Sequence, residues 1–381
     1  MNIPKHYEGR EQAYVKHRLL ESYLERLFMI VGWHSSEICY VDCFAGPWQE
    51  GSDDLSDTSI AISLKSMQGC AEKLKAMGKE VKFKALYIEN DPIAFSKLEA
   101  FLKKEEWSDI ETHCYNGNFF DLRAKLLEGC GSNAFTFFFI DPKGYTDVVE
   151  ALTLKPLLER PQSEFLITFM YDFIVRAHTQ PALEQQMSEL FGEVPDTTGM
   201  EPKEREEHLV RLYRSKLKNV FLRDGKVPRS AYVKVLDPLK DRTKYGLVYL
   251  TRHPKGIIKF MEASEKLDLI QREVRNKTKQ DMREAKSGQL ELTVMLGTTN
   301  KTPDIQPIKD FWLEKLSTEE KRYGIIEFAD ILEETSWFPR DIQAALKELI
   351  KEGRVENLDA KRPRPKNVVN FDKNERLRKI D

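Results

Sequence analysis

Four residues of this 381-residue chain stand where a sheet protein keeps its chemistry. Asp42 ends the strand-like part of "YVDCFAGPW", Glu89 closes "ALYIE", Asn118 follows "CYNG", and Asp141 follows "FTFFFI". Asp42, Glu89 and Asp141 close or follow an apolar run, Asn118 follows a more polar strand-like stretch, and a helical pattern comes after each. In an open α/β sheet, ligands bind outside the carboxyl ends of the strands, where the strand order reverses. An acidic residue after the second strand can accept from both ribose hydroxyls and would repel a 2′-phosphate. A carboxylate after the fourth can orient an acceptor amine while its proton is removed.

The residue types narrow the ligand. In the first loop Asp42 is a hydrogen-bond acceptor, Phe44 and Ala45 follow it, and Gly46 permits close backbone approach. Glu89 suits a ribose diol. Asn118 and Phe119 could hydrogen-bond to an adenine and stack on it. A phosphate cradle is missing: the chain has neither G-x-G-x-x-G nor G-x-x-x-x-G-K-[ST], and Pro47 and Trp48 stand where a pyrophosphate needs small residues. The next helix starts late, near Thr58, so its N-terminus does not directly face the loop. An adenosine pocket without phosphates fits S-adenosylmethionine, and the missing phosphate loop disfavours a nicotinamide cofactor.

The elements that must position these residues follow from periodicity. Ala13–Val31 reads as a helix, with Leu19, Leu20, Tyr23, Leu24, Leu27 and Phe28 at helical spacing, and it could cover the site. Five apolar runs then alternate with helices. They lack the in–out alternation of half-exposed strands, as parallel strands covered on both faces do. "SAYVKVLDP" and "YGLVYLTRHP" predict an antiparallel hairpin joined by "LKDRTK". The fold class is therefore α/β, a doubly wound, mostly parallel seven-stranded sheet, and with the acidic landmarks at the strand ends it is expected to be a methyltransferase-type, Rossmann-like domain. The expected organisation is a helical segment over 1–36 and this domain over 37–264, with a helical insertion at about 180–225. A charged helical linker follows over 265–320.

Residues 321–381 form a further module. "GIIEFADILEET" and "PRDIQAALKELIKEG" predict two helices, and "RVENL" and "NVVNF" two strands joined by "DAKRPRPK". That is the pattern of a winged helix-turn-helix. Arg340, Gln343 and Lys347 on its second helix, and Lys361, Arg362, Arg364 and Lys366 on the wing, are the candidate nucleic-acid contacts.

Taken together, "HRLLESYLERL", "YVDCFAGPW", "DTSIAISL", "YIENDP", "IDPKGY" and "TRHPKGIIKFM" resemble the three-Cys-motif partner (TcmP) family over most of the first 265 residues. The resemblance implies a class I S-adenosylmethionine-dependent methyltransferase-like fold. It also implies a radical-SAM-like partner protein, to which the three cysteines of the name belong. Here "DPKG" replaces the family's "DPFG", and Trp48 replaces a common glycine. Many nucleic-acid amino-methyltransferases place [DN]-P-P-[YFW] after the fourth strand, where it holds the amine and stacks on an extruded base. By that likeness Asp141 and Pro142 would orient the acceptor, Tyr145 would stack, and Lys143 would meet a substrate phosphate.

Composition excludes several classes. Five cysteines without a C-x-x-C pair argue against a disulfide framework and a metal site, and fit reduced thiols in the cytoplasm. The N-terminus lacks an apolar signal core, and "FTFFFI" is far too short to span a bilayer. A net charge of −2 leaves room for a local basic face. The expected activity is methyl transfer to nucleic acid. The alternative is a non-catalytic adaptor of a phage-defence or mobile-element system, built on the same fold.

Overall fold

The computed structural model describes residues 4, 7, 9–46, 58–107, 109–142, 149–171, 174, 184–223, 225–287, 304–362 and 364–380, with backbone alone at 105 and 280–287. By internal contacts the chain divides into two units, Met1–His253 and Pro254–Asp381.

The first unit follows the order α1 (Glu11–Gly32), β1 (Glu37–Asp42), α2 (Ser59–Ala76), β2 (Lys82–Glu89), α3 (Pro92–Leu102), β3 (Glu111–Asn116), α4 (Phe119–Gly129) and β4 (Phe135–Ile140). Then come α5 (Ala151–Leu158), β5 (Ser163–Phe169), α6 (Glu184–Phe191), α7 (Pro202–Phe221), β6 (Arg229–Leu236) and β7 (Thr243–Thr251). The sheet order is β3-β2-β1-β4-β5-β7-β6. β1 to β5 run parallel, while β7 is antiparallel to both β5 and β6. The chain starts in the middle of the sheet, winds out to β3, returns to β4 and finishes in the hairpin. The strand order therefore reverses between β1 and β4.

Near-continuous burial of β1, β4, β5 and β7 matches their apolar runs. On one face Val41, Phe138, Phe165 and Ile167 pack with Leu154, Tyr213 and Phe221 from the helices. Tyr213 stacks on Phe169 at 4.4 Å and donates to the Val149 carbonyl at 2.7 Å. The helical insertion expected at 180–225 thus includes α7, a full layer of the core. Its amphipathic face covers the sheet where the antiparallel hairpin begins.

Against the other face, Phe28 of α1 meets Phe83 edge-on at 5.5 Å. Tyr23 of α1 donates to Glu164 at 2.8 Å and lies 2.6 Å from the Tyr249 hydroxyl, while Thr251 donates to Glu164 at 2.7 Å. Burial raises the Glu164 carboxyl above its usual range, and the hydroxyl donors around it partly offset that rise. A buried carboxylate is costly unless its oxygens are satisfied. This cluster therefore fixes how α1 seats on the sheet.

The second unit comprises α8 (Pro254–Ser287), α9 (Gln306–Lys315), β8 (Lys321–Tyr323), α10 (Ile325–Thr335), α11 (Pro339–Lys351), β9 (Val355–Asn357) and β10 (Glu375–Lys379). α8 runs unbroken through residue 264, where the sequence places a domain boundary. α9 lies in the stretch read as linker and packs on α11, and its Trp312 meets Tyr323 at 5.3 Å. The buried residues Ile308, Trp312 and Leu316 recur every fourth position, which is the signal that charge on the neighbouring residues hides.

The wing differs from the expected ribbon. β10 pairs antiparallel with both β8 and β9, in the order β8-β10-β9. "NVVNF" is not a strand: Val368 and Val369 plug the core as irregular chain, and Phe371, which opens a 3-10 turn over Phe371–Lys373, stacks on Phe328 at 4.0 Å. The true strand, "ERLRK", places charged Glu375 inward, which masks its alternation.

Candidate active site and basic wing

The ends of β1, β2 and β4 bring together Asp42, Gly46, Glu89 and Asp141. The first loop is stitched to its neighbours: Cys43 N–H donates to the Phe139 carbonyl at 3.0 Å and Ala45 N–H to the Ile88 carbonyl at 2.8 Å. Asp42 is fully buried. One of its oxygens accepts from the Phe44 N–H at 3.1 Å, and the other from the Ser59 hydroxyl at 2.6 Å. It therefore ties the end of β1 to the first turn of α2 and shapes the loop from beneath. Burial pushes the Asp42 carboxyl up to about 6, against the pull of the Ser59 and Phe44 donors, and nearby Asp141 adds to the rise.

Gly46 and Glu89 form the tightest contact of the site. A Cβ on Gly46 would lie 1.5 Å from Glu89 Oε2, so any larger residue would displace the carboxylate or the loop from this arrangement. The sequence suggested that this glycine lets the backbone approach a ligand; in the structure its close neighbour is the carboxylate at the end of β2. Glu89 is 8 % exposed, and its Oε1 accepts from the Asp91 N–H at 2.7 Å. Oε2 has no hydrogen-bond donor among the described residues, which leaves acceptor capacity facing the loop. The Glu89 carbonyl takes Asn116 Nδ2 at 2.9 Å and the Gly117 N–H at 3.2 Å, binding the ends of β2 and β3 together.

The two residues expected at an adenine are in place but committed. Asn118 caps α4 by accepting from the Phe120 N–H at 2.8 Å. Phe119 is buried and packs against Phe44 with ring centroids 5.3 Å apart. The ring beside it, Phe120, is only half-buried.

Asp141 follows β4 with its side chain 22 % exposed, and Lys16 of α1 forms an ion pair with it. The same ammonium lies 5.6 Å from the centre of the Tyr245 ring, whose hydroxyl donates to the Gln12 carbonyl at 2.8 Å. Lys16 is the site residue that sequence reading missed. The only sequence signal was the expectation that the first helix could cover the site. Pro142 is buried beside Asp141. Lys143 and Tyr145 lie outside the described residues, as do Pro47 and Trp48.

In the second unit, the helix expected to face nucleic acid is largely tied to the protein itself. Arg340 Nε pairs with Glu265 at 3.1 Å. Gln343 donates to the Val369 carbonyl at 2.8 Å and accepts from the Val369 N–H at 3.1 Å. Lys347 donates to the Pro365 carbonyl at 3.3 Å. The wing is different. A groove of about 630 Å³ is bordered by Arg322, Lys361, Arg362, Arg364 and Lys373. Two acids also border it, Glu375 and Asp359. Glu375 grips Arg364 through two bonds of 2.9 and 2.6 Å. Burial alone would raise the Glu375 carboxyl, and the Arg364 fork with the Asn370 N–H brings it below its usual range. Asp359 is held at about 2 by the hydrogen bonds of Arg376. Lys366 is exposed next to this rim.

The strand order, with β7 antiparallel between β5 and β6, makes the first unit a doubly wound, mostly parallel seven-stranded Rossmann-like domain. In the second unit, residues 279–362 match the GMT-like wHTH domain, which makes it a winged helix-turn-helix. Solved structures similar to the chain include the O-methyltransferase from Bacillus cereus in complex with SAH. It is 14% identical, with 60% of this chain and 79% of that one covered and a TM-score of 0.33. A DUF574 family protein from Streptomyces avermitilis is 13% identical over 61% of this chain and 82% of that one, with a TM-score of 0.32. Loganic acid methyltransferase with SAH is 10% identical over 72% and 69%, with a TM-score of 0.28. No curated protein matches. Among the described residues no helix is long and apolar enough to cross a membrane, and no group of acidic, His and Cys side chains could hold a metal ion.

Proposed function

We propose that this protein is an S-adenosylmethionine-dependent methyltransferase that acts on nucleic acid together with a three-Cys-motif, radical-SAM-like partner. The observation that carries the cofactor assignment is the Gly46–Glu89 contact. It sets a carboxylate with one uncommitted oxygen at the end of β2, beside the strand-order reversal. A ribose diol suits that oxygen, and the lack of a glycine-rich phosphate motif in the chain suits a ligand without phosphates. Glu89 would hold the ribose, Asp42 would keep the loop in shape, and Asp141 would orient the acceptor. The bound cofactor would supply an activated methyl group. The protein's share is alignment and acceptance of a proton.

Calorimetric titration with S-adenosylmethionine tests this reading. Binding is expected for the native chain and not for Glu89→Ala, with no heat from NAD. Labelled methyl transfer to DNA and RNA is then expected to vanish in Asp141→Ala while cofactor binding persists. Unchanged turnover in that variant refutes the role of Asp141.

A second reading rests on the Lys16–Asp141 pair. It neutralises the carboxylate that would receive an amine, as a non-catalytic adaptor of a phage-defence or mobile-element system would tolerate. Cofactor binding without turnover on any nucleic acid, with or without the partner, favours that reading.

A further inference from the structure

The winged unit presents two candidate surfaces for nucleic acid, and they are unequal. On α11, Arg340 is paired with Glu265, both amide atoms of Gln343 are used by Val369, and Lys347 bonds the Pro365 carbonyl. Side chains that read bases need free donors and acceptors aimed at base edges. Here Gln343 and Lys347 hold the wing segment to the helix, and the Nε of Arg340 is engaged by Glu265 of α8.

The wing groove has what α11 lacks. Residues 361–379 carry eight Lys and Arg against two Asp and Glu. Lys361, Arg362 and Lys373 are exposed at the groove, and their charged groups have no ion-pair partner among the described residues. Arg322 joins them from β8, with one guanidinium nitrogen donating to the Asn374 carbonyl at 3.1 Å. Arg364 is fixed from below by Glu375, which is 3 % exposed and also accepts from Asn357 and the Asn370 N–H. An arginine held by one edge keeps its remaining N–H groups directed outward at little further entropic cost. Five cations from three separate segments thus border one open groove. That spread suits a polymer with a charge at every residue better than a single anion.

We propose that this groove binds the sugar–phosphate backbone of nucleic acid, and that the winged unit grips its substrate by the wing without reading bases through α11. The proposal deepens the nucleic-acid part of the function above and is independent of the cofactor site. Fluorescence anisotropy of the full chain without S-adenosylmethionine tests it, using labelled duplex DNA, duplex RNA and single strands of two unrelated sequences. Binding to at least one form is expected, with the two sequences within about threefold and a steep loss of affinity on added salt. The double variant Lys361→Glu, Arg362→Glu is expected to bind at least tenfold more weakly and to show a shallower salt slope, by about two for two lost phosphate contacts. Its S-adenosylmethionine affinity and thermal unfolding should not change, because both side chains are exposed and unpaired. Undiminished binding by that variant overturns the proposal. So does a strong preference for one sequence that disappears with Lys347→Ala, or displacement of the nucleic acid by polyglutamate at equal charge concentration.

Discussion

Two residues of the candidate site set its limits. Gly46→Ala places a Cβ 1.5 Å from Glu89 Oε2, so either the carboxylate or the loop must move. We expect at least a tenfold loss of S-adenosylmethionine affinity by calorimetry, with a change in melting temperature of only a few degrees because the loop lies outside the sheet. Asp42 makes a pH prediction. Its folded value of about 6 lies above the ordinary 3.8, so the native state keeps a proton that the unfolded state has released. Stability from this group is complete below the unfolded value and falls as pH rises through about 6, by roughly 3 kcal/mol in total. Asp42→Asn removes that slope. Urea unfolding at pH 4 and pH 7.5 should show the variant gaining about 2–3 kcal/mol on the native protein between the two; a constant difference contradicts the buried, protonated state. The types and order of Asp42, Gly46, Glu89 and Asp141 were legible in the sequence. Lys16 was not, because it lies 125 positions from the aspartate it pairs with.

Among the elements, α1 and α11 show how a helix is oriented by a few polar contacts. The Tyr23–Glu164–Thr251 cluster seats α1, and that seating is what delivers Lys16 to Asp141. On α11, Gln343 satisfies both backbone groups of Val369, and so clips the irregular "NVVNF" segment to the helix. Gln343→Ala leaves a buried N–H and C=O without partners, which costs about 1–3 kcal/mol. The second unit should unfold at correspondingly lower urea, and hydrogen exchange at Val369 should speed up. Protection equal to that of the native protein would mean the clip is dispensable. If Gln343 read bases instead, the variant would keep its stability and lose sequence preference.

At the scale of the whole molecule, the division at 253/254 makes independent folding of the second unit a testable expectation. It has its own core, in which Trp312 is fully buried against Tyr323 and Phe328 stacks on Phe371. A polypeptide of residues 254–381 should give one cooperative thermal transition and dispersed amide resonances; a broad, non-cooperative melt would show that it needs the first unit. The architecture of both units was written in the sequence, because parallel strands covered on both faces demand continuous apolar runs and surface helices demand a 3.6-residue period. Such patterns are local, and the sequence alone determined the sheet, its closing hairpin and the two helices of the winged module, but not the pairing of its strands. Where a charge faces inward the pattern breaks, so β10 and α9 escaped it. What only the tertiary structure decided is which polar groups meet: Gly46 with Glu89, Lys16 with Asp141, Gln343 with Val369, and Arg364 with Glu375. Those pairings join segments brought together only by packing, and the short reach of a hydrogen bond leaves no periodic trace along the chain.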